Sequence, residues 1–222
     1  MGQKVNPKGF RLGIVFQTSS RWFASGKKYK EFLYEDVQLR RALHKRLKSA
    51  GMAQVEIERS INKMRIILHV AKPGIVIGRG GSGLEETKKF IESFLIEKQN
   101  EILGRTDGTK RRIELTVEPI KEPNLNAFLV ASNIADQLAR RMPHKRVCNQ
   151  SLERVMNAGA KGVKIKLSGR IAGAEIARRE TFKQGSVPLS TIREEVDFSH
   201  VPSLTKSGYI GVKVWICKQN NY

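Results

Sequence analysis

Two stretches in the second half of the chain alternate apolar and polar residues without a break. In GVKIKLSGR, Val163, Ile165 and Leu167 alternate with Lys164, Lys166, Ser168 and Arg170; in YIGVKVWICK, Ile210, Val212, Val214 and Ile216 alternate with Lys213 and Trp215. Successive side chains of a strand point to opposite faces, so this period demands a sheet with one dry and one wet face. Antiparallel sheets sit that way, whereas parallel sheets are covered on both sides. The dry face needs a cover, and two apolar stripes of helical spacing precede it. Ala127, Val130, Ile134 and Leu138 lie on a helix ending near Arg141. After Pro143, a second helix turns Cys148, Leu152, Val155 and Met156 inward and stops at Gly159. Residues 121–222 therefore read as two helices over an antiparallel sheet whose open face is basic, with Lys164, Lys166 and Arg170 on one side.

Pro119 and Pro123 mark a linker ahead of that domain. The preceding segment, residues 29–120, has a different order. A helix from about Tyr29 to Ser49 carries Phe32, Leu39, Leu43 and Leu47 on one face and ends at Gly51. Two strands follow, Val55–Ile57 and Met64–Val70, joined by a turn near Asn62. Then come a short helix at Ile75–Gly78, a glycine-rich loop, a helix to about Gln99, a Gly/Asp turn and a strand from Arg112 to Val117. Residues 1–28 show no sustained period and read as a basic arm. The class is α+β.

The loop, IVIGRGGSGLEE, contains Gly78, Gly80 and Gly83 at the spacing of a dinucleotide-binding turn. That reading needs a long apolar strand before the first glycine and an acidic residue about 20 positions on. Pro73-Gly74 interrupts the approach, and the stretch after the helix, GRTDGTKRR, is basic and turn-like. A Walker loop lacks its closing Gly-Lys-Ser/Thr. What fits is a K-homology loop, G-x-x-G between two short helices, here Gly78, Arg79, Gly80 and Gly81. Its glycines admit a nucleic-acid backbone, and helix amides face the phosphates.

Charge supports a polyanionic partner. Forty-one Lys and Arg against 21 Asp and Glu leave a net +20 in 222 residues, a field that concentrates nucleic acid at the surface. Cys148 and Cys217 are too few for a disulfide framework or a zinc site. The four histidines show no ligand spacing, the carboxylates are dispersed, and no cofactor or small-molecule substrate is expected. No apolar run approaches the roughly 20 residues that span a bilayer, so no membrane role is expected.

The stretches GAKGVKIKLSGRIAGAEIARRETFKQGSVPLSTIREEVDF and GVKVWI, with MGQKVNPKGFRLGI at the start, closely resemble the bacterial and organellar type of small-subunit ribosomal protein number three. The resemblance runs nearly end to end. It implies a type II K-homology domain followed by an α+β domain, on the head of the small subunit. The implied partners are 16S ribosomal RNA, messenger RNA at its entry channel and neighbouring small-subunit proteins. It further implies a non-enzymatic role in guiding and unwinding messenger RNA, on a cytoplasmic or alternatively a plastid ribosome. The other reading of the same residues is a free-standing K-homology regulator of transcripts. The family's entry-channel cluster falls on Lys145 and Arg146, with Asn149 at its third basic position and Arg141 nearby. Lys4, Lys8 and Arg11 of the arm, with Lys164, Lys166, Arg170, Arg178 and Arg179, are expected on ribosomal RNA.

Overall fold

The computed structural model describes residues 3–60, 63–103 and 112–219. The turns expected near Asn62 and over residues 104–108 lie outside them. In chain order the elements are α1 (Pro7–Phe10), β1 (Ser20–Arg21), α2 (Lys27–Arg46), β2 (Met52–Arg59), β3 (Lys63–Val70), α3 (Pro73–Ile77), α4 (Ser82–Leu103) and β4 (Arg112–Pro119). They continue with α5 (Ala127–Ala139), α6 (His144–Asn157), β5 (Ala160–Gly169), β6 (Arg178–Gly185), β7 (Val196–Thr205) and β8 (Gly208–Lys218). The chain divides into two units. One is residues 18–121; the other joins residues 1–17 to 122–222.

In the first unit the sheet order is β1-β2-β3-β4. β2 and β3 form an antiparallel pair, while β3 and β4 run parallel, Met64 opposite Ile113 and Leu68 opposite Val117. Parallel neighbours need a crossover, and α3, the glycine loop and α4 supply it. Leu39 and Leu43 of α2 and Ile91 of α4 pack on Ile57, Ile66 and Leu68 of the sheet. Gly51, left-handed at φ 66°, closes the short 3-10 turn after α2, as its place in the sequence predicts. The helix also buries two acids. Asp36 accepts from Trp22 Nε1 at 2.7 Å and from Arg59, whose Nη1 also donates to Glu35 at 2.7 Å. This cluster clamps α2 to β2 and draws in the segment around Trp22.

In the second unit the order is β6-β5-β8-β7, every neighbour antiparallel. Val163, Ile165 and Leu167 of β5 and Val212, Val214 and Ile216 of β8 are buried with Ile134, Leu138, Val147 and Leu152 of the two helices. The alternation in the sequence thus sorts the faces as expected. Asn126 caps α5 by accepting from the amides of Phe128 and Leu129. Buried Asp197 accepts from the Ala127 amide at 2.8 Å, fixing the start of α5 to β7.

The basic arm does not stand apart. Residues 18–28 join the first unit, and residues 3–17 pack into the second. Arg11 is the reason for the latter. It is fully buried. Its Nε donates to the Glu194 carbonyl at 2.7 Å, Nη1 to Pro7, and Nη2 to Pro188, Leu189 and Thr191. A fully buried guanidinium whose three nitrogens all donate to carbonyls cannot meet phosphate, so the expectation that Arg11 binds RNA is corrected. Arg170 is also displaced from its expected place. β5 ends at Gly169, whose φ is 137°, and Arg170 turns away into a 3-10 turn with its Nε on the Ala174 carbonyl at 2.8 Å. It does not share the face of Lys164 and Lys166.

Candidate nucleic-acid interface

Three places present cations or open amides. The first is the glycine loop. Gly78, Gly80 and Gly81 have φ of 69°, 62° and 84°, conformations that L side chains avoid. Arg79 and Gly80 are exposed. A Cβ on Gly80 would meet nothing within 4 Å, so the tip is open to a ligand. Gly83, by contrast, is needed for packing: its Cβ would fall 2.6 Å from the Val76 carbonyl. That close approach seats α3 on the start of α4. The sequence gives Gly83 no role in the G-x-x-G, and only the structure reveals it.

The second place is the outer face of the C-terminal sheet. Register sets Lys164 opposite Lys183 on β6 and Trp215 on β8. Lys166 stands opposite Lys213. Phe198 lies 5.1 Å from the Trp215 ring, and the Lys164 ammonium sits 5.4 Å over that ring. Burial lowers the pKa of Lys164, and the nearby charges of Lys4, Lys166 and Lys183 lower it further. Like charges directly opposite one another on a sheet are destabilising, and here there are two such pairs. Among the described residues none of these four lysines pairs with a carboxylate. Arg179 continues the face beside Ser168, and Arg178 and Arg179 border a shallow cleft at that edge. Lys8 is held differently, paired with Asp197 at 2.8 Å. Lys213 and Trp215 stand on the polar side of the β8 alternation as the sequence indicates, whereas Lys183 of β6 and Phe198 of β7 join the face only through strand register.

The third place is the start of α6. Lys145, Arg146 and Asn149 are exposed, while Val147 and Cys148 between them are buried. Pro143 at the N-cap offers no side-chain cap. Cations at this positive end of a helix are disfavoured by about 0.3–1 kcal/mol each, and an anion would be held by both the amides and the side chains. Arg141 is exposed in the preceding turn. His144 Nε2 lies 3.0 Å from a Glu180 carboxylate oxygen, a pair that is ionic only with the imidazole protonated.

Residues 38–125 match a family model described as KH domain, and residues 134–216 match one described as ribosomal protein S3, C-terminal domain. The small ribosomal subunit protein uS3 of Caldicellulosiruptor saccharolyticus is 45% identical over 218 residues, covering 98% of this chain and 92% of that protein. The chain belongs to the ribosomal protein S3 family. The uS3 proteins of Clostridioides difficile and Persephonella marina are 45% and 44% identical over 98% of this chain, covering 75% and 90% of theirs. The S3 C-terminal match takes in α6, β5 and β8, and hence both the basic sheet face and the Lys145–Arg146 pair. The KH match takes in the whole glycine loop. Arg11 falls before both.

Proposed function

We propose that the chain is a structural component of the small ribosomal subunit, holding 16S ribosomal RNA and bordering the path of messenger RNA. The observation that carries this is the outer sheet face. Two like-charge cross-strand pairs, Lys164–Lys183 and Lys166–Lys213, cost the free protein stability, and RNA phosphate in front of them would turn that cost into attraction. The KH loop would take single-stranded RNA through the amides and open glycines around Arg79. Neighbouring small-subunit proteins complete the set of partners. The role in this reading is assembly and guidance.

Gradient sedimentation of tagged chain from its own cells tests the reading. The chain should travel with the small subunit when subunits are separated. Sedimentation wholly outside it would overturn this reading and favour a free-standing regulator. At the start of α6, Lys145 and Arg146 would border incoming messenger RNA and favour separated strands through their phosphates. Changing both to Ala should leave assembly intact, since neither is buried, yet slow translation through a stable hairpin more than through an unstructured message. Equal slowing on both messages would remove these two residues from unwinding.

A further inference from the structure

A pocket of about 370 Å³ opens in the C-terminal unit between the end of α5, the start of α6, the 3-10 turn after β5 and the β7–β8 turn. That is within the usual size of small-molecule sites. Its floor is apolar, made by Leu138, Leu167 and Ile210, and its rim carries Arg141, Arg170 and Lys206. All three cations are exposed, and among the described residues none has a carboxylate within ion-pair distance. The side-chain-uncapped start of α6 borders the same opening, through Pro143 and His144.

The backbone singles out the same place. Among the described residues only two non-glycine residues have positive φ, Arg141 at 62° and Ala172 at 56°. Both line this pocket. Non-glycine residues enter that region at a cost, and such strain gathers at ligand sites. An apolar floor under a cationic rim selects an amphiphilic anion: a flat ring with a phosphate at its edge. Bare phosphate would not use the floor, and an uncharged ring would not use the rim.

We propose that this pocket takes one unpaired nucleotide, its base on the Leu138–Leu167–Ile210 floor and its phosphate at Arg141, Arg170 and Lys206. The proposal rests on the reading of the chain as RNA-binding, and it places an unpaired nucleotide beside Lys145 and Arg146. Such a pocket would hold a strand open after its duplex has parted, because a base seated there cannot pair.

The test uses the full chain with carbon-13 at its methionine methyl groups, since Met142 lines the pocket. Adenosine monophosphate and a single-stranded adenosine heptamer RNA are titrated separately, with heptamer affinity followed by anisotropy. Both should shift the Met142 methyl saturably, and inorganic phosphate should not. Arg141→Gly should weaken the nucleotide response at least fivefold without lowering the melting temperature, because glycine adopts positive φ freely. Ser207→Phe, which fills the mouth, should abolish the Met142 response; Arg141→Gly carries the test if that variant does not fold. Heptamer binding with an unmoved Met142 would overturn the pocket and leave the RNA reading standing. No heptamer binding at all would overturn both. A response to the free nucleotide but not to the heptamer would make the pocket a metabolite site and overturn the RNA form of the proposal.

Discussion

Each unit of the molecule buries an arginine, and the two do so in opposite ways. Arg59 of the KH unit is held by carboxylates, Asp36 and Glu35. Arg11 of the C-terminal unit donates its hydrogen bonds to five carbonyl oxygens and, among the described residues, to no carboxylate. The first is an ion pair between a helix and a strand close in sequence. The second is a charged peg that fixes an N-terminal segment to a loop at the far end of the chain. The same contrast runs through the surfaces. The KH unit presents a loop of glycines with few side chains, whereas the C-terminal unit presents lysines set by strand register on a sheet. A net charge of +20 therefore does not mark every cation as a nucleic-acid contact. Those with their donors spent inside are structural, and those crowded together without a carboxylate are available.

The largest effect expected from this contrast is at Arg11. Arg11→Ala strips a charged donor from five carbonyls, and its cost should be about 3 kcal/mol, from the lost charged hydrogen bonds and the unsatisfied acceptors. The unit carries its own reporters. Both cysteines of the chain are in it, and burial pushes their thiols up, Cys148 to about 12 and Cys217 to about 11. They should be inert to a thiol reagent near pH 8 while the unit is closed, so labelling reads its opening. Arg11→Ala should speed labelling by about two decades, at roughly tenfold per 1.4 kcal/mol. An unchanged rate would reduce Arg11 to the standing of a surface residue. Arg59 lies in the unit without cysteines, and Arg59→Ala should leave the thiol rate near its original value.

That prediction was not available from the sequence, and the reason is physical. The carbonyls that hold Arg11, apart from that of Pro7, are 177 to 183 positions away, so no local pattern distinguishes it from Lys4 or Lys8. The periodic features were legible: the alternation in β5 and β8, the stripes on α5 and α6, and the glycine loop between two helices. β7 was hidden because it carries Asp197 and Pro202, residues that read against a strand. Proline is tolerated there because β7 is an edge of the sheet. Arg170 was misplaced by a period run one residue too far, past the Gly169 bend. Of the candidate interface, Lys164, Lys166, Lys145 and Arg146 could be read from short spacing and resemblance. Lys213 could be read onto the wet face from its alternation but not opposite Lys166, and Lys183 could not be read at all, because only strand register sets these lysines against one another.

A smaller effect sharpens the comparison within the KH loop. Gly83→Ala would drive a methyl against the Val76 carbonyl at 2.6 Å and the Ile77 carbonyl at 3.1 Å, and overpacking of this kind costs about 1–3 kcal/mol. Gly80→Asn meets open space and keeps a left-handed φ that Asn tolerates better than other side chains, so it should cost less. Each unit holds one of the two tryptophans, Trp22 and Trp215. In a Trp215→Phe background, urea unfolding followed through Trp22 therefore reads the KH unit alone. Equal midpoints for the Gly83 and Gly80 variants would show that α3 yields to α4, and that Gly83 is not what seats the loop.

The smallest effect is a pH response confined to the KH unit. His44 on α2 is half-buried, and its pKa is lowered, first by burial and then by the charge of Arg40 one turn away. A group with a depressed folded pKa of this basic kind resists the proton that the unfolded chain accepts. Between its folded pKa and its ordinary unfolded value near 6.5 the unfolded state binds more protons, so stability rises with pH in that window. Its contribution is fully present above about pH 6.5 and is lost as the pH falls below that value. In the Trp215→Phe background the urea midpoint read through Trp22 should therefore drop between pH 7.5 and pH 5.5. His44→Gln, which cannot take the proton, should drop less over the same range. In the otherwise unaltered chain, His44→Gln should leave the labelling of Cys148 and Cys217 at pH 8 unchanged, because the other unit contains neither His44 nor Arg40. If the two forms lose the same stability on acidification, the depressed imidazole is not what makes the KH unit acid-sensitive.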